Sequence, residues 1–240
     1  MPHRRRPRRL PPLQRGRQET SGGLPSQTQI GGATLMHTLR LYLRFPRLQR
    51  LAARAQRDLT SIALRASSYD HATAGIGQIA LVTVPQTGPV TALHGRVNPQ
   101  RRRVAEHRGV DRDAADEPTF AHWATIIGKI ALTTVTGFNL ALFDLPLIHA
   151  QCLRYGIDAP TFSNILDLHE VLASTTGSYS GQLQDHARHY GVSLEQDPDA
   201  VDDAVTTLQL AERIAEEHGD AVLSLLPAPR SLHAGADLAP

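Results

Sequence analysis

Residues Thr136–Ile148, TGFNLALFDLPLI, constrain the fold of this chain more than any other stretch. A β-branched run, Thr133 to Val135, leads into Gly137 and Asn139, and three residues further on Phe143 and Asp144 open an apolar helical pattern. That pattern predicts a strand handing a carboxylate to the start of a helix. There, free backbone N–H groups and the positive end of the helix dipole favour an anion, and a divalent cation can be held beside phosphate. On this segment alone Asp144 reads equally as a metal-holding carboxylate or as a plain N-cap.

The 240 residues, 41% of them hydrophobic, allow one domain with tails and an ample core. Cys152 is the only cysteine, so no intramolecular disulfide is available, and no apolar run approaches the roughly 18 residues that span a bilayer. A reduced, cytoplasmic protein without membrane contact is expected. The 25 basic and 23 acidic residues nearly cancel, so the overall charge selects no class of partner. Its distribution says more. Residues 1–35 carry seven arginines between Arg4 and Arg17 among Pro, Gln, Gly and Ser, with no apolar period. They read as a disordered basic tail, either an arm for phosphate backbones or a stretch upstream of the true start at Met36. After it the expected organisation is a helical segment over 36–58, the main domain over 59–220 and a loose C-terminal tail over 221–240.

Within that frame Leu39–Ala55 reads as a Leu- and Arg-rich helix interrupted at Pro46. Leu59–Leu64, Ile76–Val84 and Val90–Val97 read as the strands of an antiparallel meander, and Gln100–Glu117 as a charged surface loop. Pro118 opens a helix to about Ala131. From the Thr133–Thr136 strand onward, strand alternates with helix: a helix over Leu145–Tyr155, a strand over Ser163–Leu166, helical turns over His169–Ala173 and Gln182–Tyr190. Last comes an amphipathic helix over Ala200–Glu217 with Val201, Val205, Leu208, Ala211 and Ala215 along one face. A meander followed by strand–helix units predicts an α/β fold. Its sheet is a mixed five-stranded one, three antiparallel strands and then parallel strand–helix units, flanked by helices in the order of a ribonuclease H-like fold.

The stretch from Leu59 to about Glu217 resembles the DnaQ-like (DEDDh) 3′–5′ exonuclease family. The Asn139–Phe143–Asp144 corner is similar to the family's second motif. The third motif, a helix carrying His-x-Ala-x-x-Asp, resembles the segment after HARHYGV (His186–Val192), where Pro198-Asp199-Ala200-Val201-Asp202-Asp203 overlays it in register. RVNP at Arg96–Pro99, HRGV at His107–Val110 and EPTF at Glu117–Phe120 resemble further family segments.

In that family four carboxylates hold two divalent cations, Mg2+ or Mn2+, that activate water and stabilise the leaving oxygen, with a histidine as general base. The resemblance places two of the four carboxylates on Asp144 and Asp203, as catalytic and metal-holding positions. The histidine position falls on Pro198, which can neither accept nor donate a proton. Laying Ile76–Val82 without gaps on the family's second strand puts Ala63 and Arg65 where the first motif has its two acids. A rival placement sets Asp70, Ala72 and Gly75 on that motif and recovers one acid. Under the gapless placement a guanidinium enters the space of the metal ions, and Arg65 is expected to pair with Asp144, Asp203 or both.

The resemblance therefore implies an exonuclease-fold protein that acts on or binds nucleic acid, single-stranded DNA or DNA ends, with impaired catalysis. Asn139 and Phe143 are its nucleic-acid-binding candidates. Two alternatives stay open: an active metal-dependent exonuclease using Asp70 or another acid, and a non-catalytic protein-interaction module. Phe138 and Phe143, flanking the corner, read either as base-stacking rings or as core. Phe120, Trp123 and Cys152 read as core, and His186 and His189 as surface residues without the third ligand that zinc needs.

Overall fold

The computed structural model describes residues 37–98, 117–177 and 180–224. The basic tail 1–35, most of the Gln100–Glu117 loop with HRGV, and residues 225–240 lie outside them.

Six strands form one mixed sheet in the order β1-β4-β3-β2-β5-β6. β2 (Leu59–Ala66), β3 (Ile76–Val84) and β4 (Val90–Arg96) are the antiparallel meander. β5 (Thr134–Gly137) joins β2 in parallel, and β6 (Ile165–Asp167) joins β5 in parallel. The expected ribonuclease H-like order is present with one strand more than expected. His37–Leu41 is not helical but forms β1, an antiparallel edge strand on β4. The helix after it, α1, covers only Pro46–Ala55. Proline at position 46 disfavours helix in the residue before it and suits the first helical turn, so the helix can start there but not run through. Four of the five β1 residues are exposed, which removes the alternation that marks a strand in sequence.

Helices α2 (Phe120–Ile130) and α3 (Asp144–Arg154) cover one face of the sheet. α4 (Leu168–Thr176), α5 (Leu183–His189) and α6 (Ala200–His218) join α1 in covering the other. Alternation along β2 sends Ile62, Leu64 and Ala66 to the α2–α3 face and sets Ala63 against the α6 face. Trp123, Phe120 and Cys152 are buried in the α2–α3 core. On α6, Val205, Leu208, Ala211 and Ala215 are buried as the periodicity predicts, and Leu208, Leu210 and Ile214 are fully enclosed. Each of those three side chains contributes about 2 kcal/mol by leaving water.

α6 also closes the N-terminus of α1. Phe45, the N-cap, supplies no side-chain acceptor, and the buried Glu212 takes its place. Glu212 Oε1 accepts from the Arg47 amide at 2.9 Å, and Oε2 accepts from the Leu48 amide at 3.1 Å. Orphan amides of a helix start are thereby satisfied from 165 residues away.

Candidate nucleic-acid site

The site grows from the corner after β5. Gly137 has no room for a side chain: a Cβ there would lie 2.9 Å from Leu140 Cδ1 and 3.0 Å from Leu140 Cβ. Asn139 adopts a left-handed backbone, φ 61°, which Asn tolerates better than most residues. Asp167, at the end of β6, fixes this shape. Its Oδ1 accepts from the amides of Asn139 (2.9 Å) and His169 (3.0 Å), and its Oδ2 from the amide of Ala141 (2.9 Å). The chain then enters α3 with Asp144 as its first residue.

Asp144 is thus not an N-cap. That position belongs to Phe143, and the Asp144 carboxyl points into the fold, 6% exposed, where the Leu64 amide of β2 donates to it. Burial, more than anything else, holds this carboxyl well above the ordinary carboxylate range, and the nearby charges of Asp167 and Asp203 push it the same way.

Asp203 lies in the first turn of α6 and meets Arg65 of β2, Nη2 to Oδ2, at 2.6 Å. The same Nη2 donates to the Pro198 carbonyl oxygen at 2.7 Å. One guanidinium therefore neutralises Asp203 and ties the start of α6 to the central strand. Burial raises the Asp203 carboxyl above its ordinary value, and the Arg65 guanidinium pulls against that rise. Asp199 caps α6, its side chain accepting from the Asp202 amide and the Asp202 side chain accepting from the Asp199 amide. Of the two aspartates offered to Arg65 by the sequence, the ion pair forms with Asp203.

Asp70 is engaged elsewhere. It is exposed in the β2–β3 loop, where Oδ1 accepts from the Ala72 amide at 3.1 Å and Oδ2 from the Thr73 hydroxyl. The loop is pinned to α3: Gln151 Nε2 donates to the Ala74 carbonyl oxygen at 2.9 Å, and Arg154 Nη2 to the same oxygen at 3.1 Å. Phe143 is half-buried, its ring 5.6 Å from Tyr69 and 5.5 Å from His71 of that loop. Phe138 packs instead on His169 and His186, at 5.4 and 5.7 Å. The amide of Asn139 is spent on Asp167.

These residues do not fit a pair of divalent cations. Such ions need ionised carboxylates with free oxygens. Both oxygens of Asp167 are taken by backbone amides, Asp203 is neutralised by a guanidinium, and burial favours the neutral form of Asp144. Among the described residues no three His, Cys, Asp or Glu side chains gather as a metal-holding group. Asp167 is the residue that the sequence reading passed over. Its signal was present, an Asp followed three residues later by Glu170 at the head of an apolar run.

No family model matches the chain, and no curated protein matches it. Solved structures do. A product-bound exonuclease I superposes with a TM-score of 0.58 at 13% identity, over 70% of this chain and 45% of that one. Exonuclease I of E. coli in complex with a dA16 oligonucleotide gives 0.58 at 14% identity, over 70% and 42%. A complex of exonuclease I with SSB-Ct gives 0.55 at 14%, over 70% and 43%. This chain spans less than half the length of those proteins. The likeness is one of fold: a ribonuclease H-like sheet flanked by helices, as in exonuclease I. Among the described residues no helix is long and apolar enough to cross a membrane.

Proposed function

We propose that this chain binds single-stranded nucleic acid or DNA ends on an exonuclease fold and does not cleave it by a two-metal mechanism. Arg65 carries the reading. Its guanidinium bonds Asp203 at 2.6 Å, on the strand that the gapless placement aligns with the family's first motif. A divalent cation about 4 Å from that guanidinium would meet about 8 kcal/mol of repulsion at an effective dielectric of 20. The Arg65–Asp203 pair supplies the internal positive charge that Mg2+ or Mn2+ would otherwise bring. Support for nucleic acid as the ligand comes from the fold, shared with an exonuclease I described in complex with an oligonucleotide.

The test uses end-labelled single-stranded DNA. With Mg2+ or Mn2+ the protein should release no nucleotide, while binding should weaken linearly in log affinity against log salt as counterions are displaced. Metal-dependent release that disappears in Asp144→Asn would overturn the loss of cleavage and restore the active reading, with Asp70→Asn deciding whether Asp70 takes part. Binding absent at low salt would leave the protein-interaction module in its place.

A further inference from the structure

The edge of the sheet farthest from Asp144 holds a second group of polar side chains. In the β1–β4 register His37 stands directly opposite His94 on the same face. Their ring centroids are 5.4 Å apart and the rings are tilted by 33°. The pair lines a cleft of about 280 Å³ together with Gln78, Glu117 and Asp199, so two imidazoles and two carboxylates open on one space. Two imidazoles bound to one tetrahedral ion at about 2.0–2.1 Å from nitrogen have centroids roughly 5.2 Å apart. The observed separation meets that requirement without backbone movement.

We propose that His37 and His94 form a zinc site at the sheet edge, with Asp199 and water completing the coordination. The two histidines supply the bite, since no three ligating side chains already converge among the described residues. Asp199 is close enough to His94 for its charge to act on the ring, and it is anchored at the head of α6 through Oδ1. Burial and the neighbouring His37 hold His94 below its ordinary value, which favours the neutral imidazole that a metal binds. A bound ion would join β1, otherwise paired only with β4, to the sheet and to the start of α6. The site lies apart from the Arg65–Asp203 pair and does not depend on any role in nucleic-acid binding.

Zn2+ titrated into the whole chain, free of any histidine tag, tests this by calorimetry and by thermal unfolding. One ion per chain should bind and raise the unfolding midpoint by mass action. His37→Asn and His94→Asn should each weaken binding at least about tenfold, since even the loss of an outer-shell partner costs that much. His37 is exposed, so His37→Asn keeps the test valid if His94→Asn does not fold. Failure of the wild type to bind Zn2+, or equal binding by the wild type and His37→Asn, would overturn the proposal.

Discussion

Removing Arg65 tests the electrostatic core of the candidate site. Arg65→Ala leaves the Asp203 carboxylate, 20% exposed, without its counter-charge and near Asp144, Asp199 and Asp202, and it leaves the Pro198 carbonyl without its donor. With charge centres roughly 4 Å apart, the pair is worth about 4 kcal/mol at an effective dielectric of 20. Water reaches both side chains, and halving that figure for screening gives about 2 kcal/mol. The lost hydrogen bond adds about 1 kcal/mol. A loss of roughly 3 kcal/mol corresponds to a fall of about 6–12 °C in midpoint for a domain of this size. Asp203→Asn should cost only about 1 kcal/mol, because Arg65 keeps Pro198 and the amide oxygen can still accept. The double variant should therefore be no worse than Arg65→Ala alone, a coupling of about 1–2 kcal/mol in a double-mutant cycle followed by thermal and urea unfolding. Additive single effects, or an Arg65→Ala loss below about 0.5 kcal/mol, would refute the idea that this guanidinium holds Asp203 in place.

Asp167→Ala should destabilise by about 3 kcal/mol or more, since three backbone amides lose their acceptor at once, and urea unfolding would register it. The Asp144 carboxyl titrates above the ordinary carboxylate range in the fold, so the native state keeps its proton to higher pH than the unfolded chain does. Stability from this group is full below the unfolded value and is lost as pH rises through the folded one. Asp167, Asp203 and Glu212 are shifted the same way. The unfolding midpoint should therefore be higher at pH 5 than at pH 8, and Asp144→Asn should flatten that slope; a midpoint rising with pH would contradict the shift.

Much of this arrangement is legible in sequence because it is local. The β-branched run before Gly137, the meander and the apolar face of α6 are periodic patterns within one element, and each predicted strand and helix there appears within a few residues of its expected ends. Arg65 was legible in a different way: spacing from β3 put it on the central strand, and the structure pairs Arg65 with Gln78 across that strand boundary. What sequence concealed depends on distant partners. β1 is five residues long, mostly exposed, and reads as a strand only because β4 offers it an edge. Asp167 looks like an ordinary helix cap in its own neighbourhood, where it bonds His169. Its second task, holding Asn139 and Ala141, becomes visible only when β5 and β6 lie side by side. Glu212 likewise shows one more polar residue on a helix, until α1 presents its bare amides.

The dependence of the corner on Asp167 limits how far the motif can travel. Asn139 and Ala141 draw their acceptor from residues 28 and 26 positions downstream, on another strand. A fragment holding only β5 and α3 would carry the whole Asn–Phe–Asp signature but lack the acceptor that keeps Asn139 in its left-handed turn. Grafting those residues onto a different scaffold would transfer the letters without the geometry. Asp144 would reproduce its buried position only if a carboxylate equivalent to Asp167 were carried along on an adjacent parallel strand. The portable unit is the pair of strands with both loops.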